Sequence, residues 1–211
     1  MGIKTGFPKR VLAVLLTTAL LIPLGALADK ADHNPQTTNP VVLIKTDRGP
    51  ITAELFADKA PATVANFLQY ATNYFYDGLI FHRVVAGFVI QTGGYTYDLV
   101  QKETRDPVVN ESSNGLRNRR GTLAMARHAD PDSATSQFYI NLSNNTNLDM
   151  RGSTPGYTVF GQVTDGMKIA DQIGKVPVMQ EDIFGHMPVE PVQILSIRII
   201  NQHDQTERQS Q

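Results

Sequence analysis

Apolar and polar positions along the chain recur with two short periods and one long uninterrupted run. Val41-Val-Leu-Ile-Lys-Thr46 and Ile51-Thr-Ala-Glu-Leu-Phe56 flank Asp47-Arg-Gly-Pro50, which predicts a hairpin: β-branched strands about a turn rich in Gly and Pro. Pro61 suits the first turn of a helix, and Val64, Phe67, Leu68 and Ala71 then fall at i, i+3, i+4 and i+7, one apolar stripe to lay on a sheet. Strand-like segments follow at Ile80–Val85, Phe88–Thr92, Gly121–Arg127, Gln137–Leu142 and Tyr157–Val163. A second helix is predicted over Gly166–Ile173, with Met167, Ala170 and Ile173 on one side. In a last strand, Pro191–Ile200, the residues Val192, Ile194, Ser196, Arg198 and Ile200 alternate with Gln193, Leu195, Ile197 and Ile199. Seven or eight strands with two helices, and no linker or change of composition between them, predict one mainly β domain over 41–201. Its expected form is a closed antiparallel β-barrel whose ends the two helices cap, since closure removes exposed strand edges.

The long run precedes that domain. Lys4, Lys9 and Arg10 stand before the apolar segment Val11–Leu27, and Ala26-Leu27-Ala28 places small residues where a signal peptidase reads. The 17 residues of the run approach the roughly 17–25 that span a bilayer. Pro23 and Gly25 sit near its end, however, and the polar stretch 29–40 carries no basic stop-transfer cluster. We therefore expect a signal peptide over 1–28 cleaved after Ala28, a flexible lead-in over 29–40, and a polar tail over 202–211. The mature protein is expected to be periplasmic, monomeric and free of stable membrane insertion.

Composition narrows the chemistry. The chain has 19 basic against 20 acidic residues and no cysteine. Removing residues 1–28 takes away three positive charges and no negative one, leaving 16 against 20. That balance offers no footprint for nucleic acid. Without cysteine there is no disulfide frame, thiolate metal site or thiol nucleophile. The five histidines, His33, His82, His128, His186 and His203, show no metal-ligand spacing, and no phosphate-cradling or dinucleotide glycine motif is present. Asp130-Pro-Asp132-Ser opens like a calcium loop but lacks its glycine and closing Glu, and reads as a turn. Neither a metal nor a cofactor is expected.

The informative stretch is Phe81-His-Arg-Val-Val-Ala-Gly-Phe-Val-Ile-Gln-Thr-Gly-Gly94, where a fixed cation stands among apolar and aromatic residues on a strand. With Leu123-Ala-Met-Ala-Arg127, Ser136-Gln-Phe-Tyr-Ile-Asn141 and Tyr157-Thr-Val-Phe-Gly161 in that order, the chain resembles the cyclophilin family of peptidyl-prolyl cis-trans isomerases. Asn114-Gly-Leu-Arg-Asn-Arg-Arg-Gly121 and Ser133-Ala-Thr-Ser-Gln137 resemble its exported bacterial branch. The resemblance implies an eight-stranded barrel with an outer groove that takes proline-containing polypeptides. The family's catalytic arginine falls on Arg83. Its substrate-pocket residues fall on His82, Phe88, Val89, Gln91, Ala126, Arg127, Gln137, Tyr139, Leu148 and Tyr157. Asn147 stands where the family commonly has Trp or another aromatic, and Tyr157 where many eukaryotic members have His, changes expected to weaken cyclosporin binding.

Strand geometry tests these assignments in part. His82 alternates to the opposite face from Arg83, so it is equally a structural histidine or a pocket wall. Gln137 and Tyr139, two apart, share a face. Phe88 and Gln91, three apart, share one only through a twist or bulge. A holdase that grips proline segments without turnover is the rival reading, favoured by Asn147. A barrel holding a small apolar ligand is disfavoured, because its inward residues are large.

Overall fold

Thr46 sets the first turn: its hydroxyl donates to the Gly49 carbonyl at 2.7 Å and accepts from the Arg48 N–H at 3.1 Å. Gly49, at φ +132°, supplies the positive φ the turn needs, and Thr46 pairs with Gly49 and Lys45 with Pro50. Strand β2 (Gly49–Leu55) therefore begins two residues before the apolar pattern does, opposite β1 (Val41–Thr46). The computed structural model describes residues 1–2, 39–179 and 184–200. The chain divides into two units, Met1–Gln36 and Thr37–Gln211, and everything below concerns the second. The expected signal peptide beyond Gly2, most of the lead-in and the polar tail lie outside the described residues. Among the described residues no helix is long and apolar enough to cross a membrane.

Helix α1 (Pro61–Thr72) buries Val64, Phe67 and Ala71 of its predicted stripe, leaves the stripe's Leu68 partly buried against the core, and adds Thr63 and Tyr70. After it come β3 (Arg83–Val85), β4 (Val89–Thr92), β5 (Thr122–Met125), β6 (Phe138–Asn141) and a 3₁₀ turn at Thr146–Leu148. The chain continues through β7 (Val159–Asp165), α2 (Met167–Ile173), a two-residue pair β8 (Val178–Met179) and β9 (Met187–Pro188), and β10 (Ile194–Ile200). Eight strands form one antiparallel sheet in the order β10-β1-β2-β7-β5-β6-β4-β3.

The sheet curls into a half-barrel and does not close, which corrects the closed barrel expected from the sequence. Its margins, β10 and β3, share no ladder. The expected strand Ile80–Val85 is a ladder only from Arg83 onward, because the residues before it divide their bonds between two partners. Ile80 N–H donates to the Tyr95 carbonyl at 3.0 Å, while Gly78 and Phe81 N–H donate to Ile194 and Val192, each at 2.9 Å. These bonds tack the two margins together without making a continuous strand pair.

Alternation along the strands separates two apolar clusters. Ile90, Leu123, Met125, Phe138 and Ile140 face an inner core that both helices join through Phe67, Val64, Ala170 and Ile173. Phe67 and Tyr76 meet Phe138 edge-on at ring distances of 5.3 and 5.6 Å, so the half-barrel is filled by its own side chains. Val89, Ala124, Tyr139 and Val159 form a smaller cluster on the other face, with Phe88, Leu116, Ala126, Leu148 and Tyr157 packed against it. Six of the residues singled out from the sequence, Phe88, Val89, Ala126, Tyr139, Leu148 and Tyr157, belong to this second cluster.

Candidate active site

Strand register places one row of residues across the outer face. Arg83 pairs with Gln91, Gln91 with Tyr139, Tyr139 with Ala124 and Ala124 with Val159. A concavity of ≈ 250 Å³ opens over this row, lined by Arg83, Phe88, Val89, Gln91, Ala126, Arg127, Tyr139, Leu148 and Tyr157. A second, of ≈ 230 Å³, shares Arg83, Gln91, Ala126 and Arg127 with it and adds His82, Gln137, Tyr95, His128, Ser133, Thr135 and Phe184. All eleven residues singled out from the sequence therefore line one double depression.

Phe88 reaches the site without the twist or bulge that its spacing from Gln91 requires on a strand. It is the last residue of the turn between β3 and β4, its N–H donating to the Val85 carbonyl at 3.0 Å across Gly87 at φ +70°. A turn residue is not bound to the strand's alternation.

Arg83 is half-buried and takes part in no ion pair among the described residues. Its guanidinium keeps its charge and its donors for whatever enters the depression. Opposite it, the Gln91 amide is held from two sides: Nε2 donates to Gln137 Oε1 at 3.0 Å and lies 3.4 Å from His82 Nε2. His82 is 2 % exposed and meets Tyr95 and Phe184 edge-on at 4.9 and 5.2 Å. Burial pushes its pKa down from 6.5 to about 4, because an imidazolium there would lose its hydration. His82 is thus both a buried structural residue and a pocket wall, neutral near pH 7.

Arg127 differs from Arg83 in having its donors engaged. Nε and Nη2 donate to the Gly156 and Pro155 carbonyls at 3.3 and 3.0 Å, Nη1 donates to His128 at 2.9 Å and Ala129 at 3.3 Å, and its plane lies over Tyr157 at 4.7 Å. It braces the segment carrying Tyr157 against the end of β5. Asn147 is exposed and lines neither depression.

Sequence reasoning missed Asn118. Only 1 % exposed, it joins three segments of the pocket wall. Its Oδ1 accepts from the Tyr139 hydroxyl at 2.9 Å and Asn141 Nδ2 at 3.2 Å. Its N–H and Nδ2 donate to Asp149 Oδ1 at 2.7 and 3.1 Å, and its carbonyl accepts from Asn145 N–H at 2.7 Å. The residue sits in the polar, arginine-rich run 114–121, where nothing in the local pattern marks an asparagine as buried. Tyr95 and Phe184 were missed for a similar reason, since loops bring them to His82. Among the described residues no group of three His, Asp or Glu side chains is placed to hold a metal ion.

An outer groove in which an arginine, in no ion pair among the described residues, stands beside an apolar recess, on an eight-stranded half-barrel with two helices, is the arrangement expected from the resemblance to the cyclophilin-type prolyl isomerases. The comparisons agree. Residues 41–199 match the family described as Cyclophilin type peptidyl-prolyl cis-trans isomerase/CLD, and the chain belongs to that family of enzymes. It is 46% identical over 191 residues to a peptidyl-prolyl cis-trans isomerase of Acinetobacter baylyi, covering 90% of this chain and 95% of the relative. It is 45% identical over 162 residues to peptidyl-prolyl cis-trans isomerase B of Escherichia coli, covering 75% and 99%. Among solved structures, a Cryptosporidium parvum cyclophilin type isomerase determined in the presence of the dipeptide Ala-Pro superposes with a TM-score of 0.65 at 27% identity, covering 77% of this chain and 99% of that one.

Proposed function

We propose that the protein is an exported isomerase that accelerates rotation about X-Pro bonds in folding polypeptides, with Arg83 as its catalytic residue. A peptide bond resists rotation by about 18–20 kcal/mol because the nitrogen lone pair is delocalised into the carbonyl, and X-Pro bonds turn unaided in tens of seconds. In the twisted state the lone pair localises on the prolyl nitrogen and becomes a hydrogen-bond acceptor. A guanidinium positioned there binds the twisted state more tightly than the planar one, which is the condition for acceleration. The observation that carries the proposal is the unpaired Arg83 at the junction of the two depressions.

Phe88, Leu148 and Tyr157 would seat the pyrrolidine and exclude water, strengthening the field of the cation. Gln91, clamped by Gln137 and His82, would bond the peptide backbone and orient Arg83. One preorganised donor contributes about 2.7–4 kcal/mol. Reaching an ordinary turnover of about 10²–10³ per second from tens of seconds needs about 4–6 kcal/mol. Positioning of the flanking peptide supplies the remainder.

The test is a proline-isomerisation assay on a neutral peptide. Arg83→Ala is expected to lower kcat/KM about 10²–10³-fold with unchanged thermal stability. Equal, near-background rates for variant and wild type would make the protein a holdase. Arg stays protonated far above neutrality and His82 is already neutral, so the wild-type rate is expected to be flat from about pH 6 to 9. A bell-shaped profile would mean general acid-base chemistry instead.

Export and periplasmic residence belong to the same proposal. They are supported by the basic-then-apolar pattern of residues 4–28, which closes on the small residues Ala26 and Ala28. N-terminal sequencing of the secreted protein should begin at Asp29. A retained Met1 on protein recovered from the cytoplasm would overturn the localisation.

A further inference from the structure

We propose that Arg117 and Arg151 form a cationic subsite that favours substrates carrying an acidic side chain a few residues from the isomerised proline; the proposal rests on the isomerase function proposed above. A third concavity, of ≈ 490 Å³, lies beyond the leucine wall of the ring-sized recess. Leu148 lines that recess, and the next residue, Asp149, lines the third concavity. Leu116 packs on the cluster beneath the recess and also lines the third concavity. The recess thus shares Arg83, Gln91, Ala126 and Arg127 with the Gln137 depression and neighbours the arginine concavity along Leu116 and Leu148–Asp149. An extended chain advances about 3.3–3.6 Å per residue, so about two to three residues carry it roughly 7–11 Å along the groove from the proline.

Arg117 and Arg151 are exposed, and neither makes an ion pair among the described residues. Their neighbour Arg120, by contrast, is held by Asp171 and the Leu142 carbonyl. The opposing charge on the concavity is Asp149. Its Oδ1 accepts two bonds from Asn118, and its Oδ2 is buried away from the opening, so two guanidinium groups face solvent against one shielded carboxylate. A guanidinium matches a carboxylate in charge and in the spacing of its donors. The concavity adjoins the substrate groove, so the carboxylate it meets is one carried on the substrate chain.

The test compares turnover of proline peptides that differ by Glu or Lys at two or three positions before or after the proline, at low salt. Exposed charge pairs are modest, so the Glu peptide of one series is expected to exceed its Lys counterpart about three- to tenfold in kcat/KM. That ratio should fall towards one in the Arg117→Gln, Arg151→Gln double variant and at 0.5 M salt, while turnover of the neutral peptide stays at the wild-type level. A double variant that keeps the Glu/Lys ratio, or a wild-type ratio near one in both series, overturns the subsite. Loss of the neutral-peptide difference between wild type and Arg83→Ala would instead overturn the isomerase mechanism, so the two failures are distinguishable.

Discussion

A single titration carries the strongest consequence at the scale of one residue. His82 has a folded pKa of about 4 against an ordinary 6.5, so the unfolded chain takes up a proton first as the pH falls. Stability is therefore full above about pH 6.5 and is lost towards pH 4, by about 3 kcal/mol over the window. Asp77 and Asp171, held low by hydrogen bonds from Arg198 and Arg120, also lose stability on acidification, but only as the pH drops past their ordinary 3.8. Denaturant unfolding at pH 7 and pH 4.5 separates the two windows: His82→Gln should remove most of the difference between those pH values, and an unchanged difference would exclude His82 as its source. Asn118 yields a second residue-scale expectation. Tyr139→Phe deletes one hydrogen bond and should cost about 1 kcal/mol, whereas Asn118→Ala strands several buried partners and should cost about 2–3 kcal/mol, with a raised KM for the neutral peptide. The two residues were not equally legible. His82 sits inside a recognisable motif, while the importance of Asn118 comes from contacts with residues 21 to 39 positions away, which no local pattern encodes.

Elements were legible where one period governs them and obscure where a partner does. The stripe of α1 predicted its buried face, yet the start of the helix depends on a distant residue. Ala60 offers no side-chain cap, and Glu111 replaces it, accepting from Ala62 N–H at 3.1 Å, from Thr63 N–H at 2.9 Å and from the Thr63 hydroxyl at 2.7 Å. The carboxylate also faces the positive end of the helix dipole. Glu111→Ala should destabilise the protein by about 1–2 kcal/mol, and Glu111→Gln by less, because the amide keeps one acceptor; equal losses in thermal unfolding would mean that the charge contributes nothing. Strand β10 shows the converse. Simple alternation along it would bury every second residue, but Ile194 and Ile197, three apart, are both buried and Leu195 is exposed. Register supplies the cause: Lys45 pairs with Ser196 and Thr46 with Ile194, so Leu195 is the extra residue of a bulge. A bulge reverses the pleat without leaving a mark in composition. The failure of the barrel to close has the same character, because the split loyalties of residues 78–81 are decided by which backbone groups they meet.

At the scale of the whole molecule, the sheet separates a large inner cluster from a small outer one, and the site stands on the small one. The inner cluster is held by both helices and by the tilted and edge-on ring contacts of Phe67, Tyr76, Phe138 and Phe160. The outer cluster has four buried residues, and the loops laid over it through Leu116, Leu148 and Tyr157 are tied to it by the hydrogen bonds of Asn118. Regions with few buried apolar contacts open locally at lower free energy than the global transition. The wall of the ring-sized recess is therefore expected to be the least stable ordered part of the catalytic domain, which suits a groove that admits and releases polypeptide. Native-state hydrogen exchange measures this directly. Amides in β5 and β6 should exchange only through global unfolding. Those of Asn145, Leu148 and Tyr157, which donate to the Asn118, Asn145 and Leu148 carbonyls, should exchange through a smaller opening. Asn118→Ala should speed exchange at those three amides by more than its global destabilisation accounts for. Uniform acceleration across β6 and the 145–157 segment would show that the wall and the core unfold as one unit, and that access to the recess does not depend on this network.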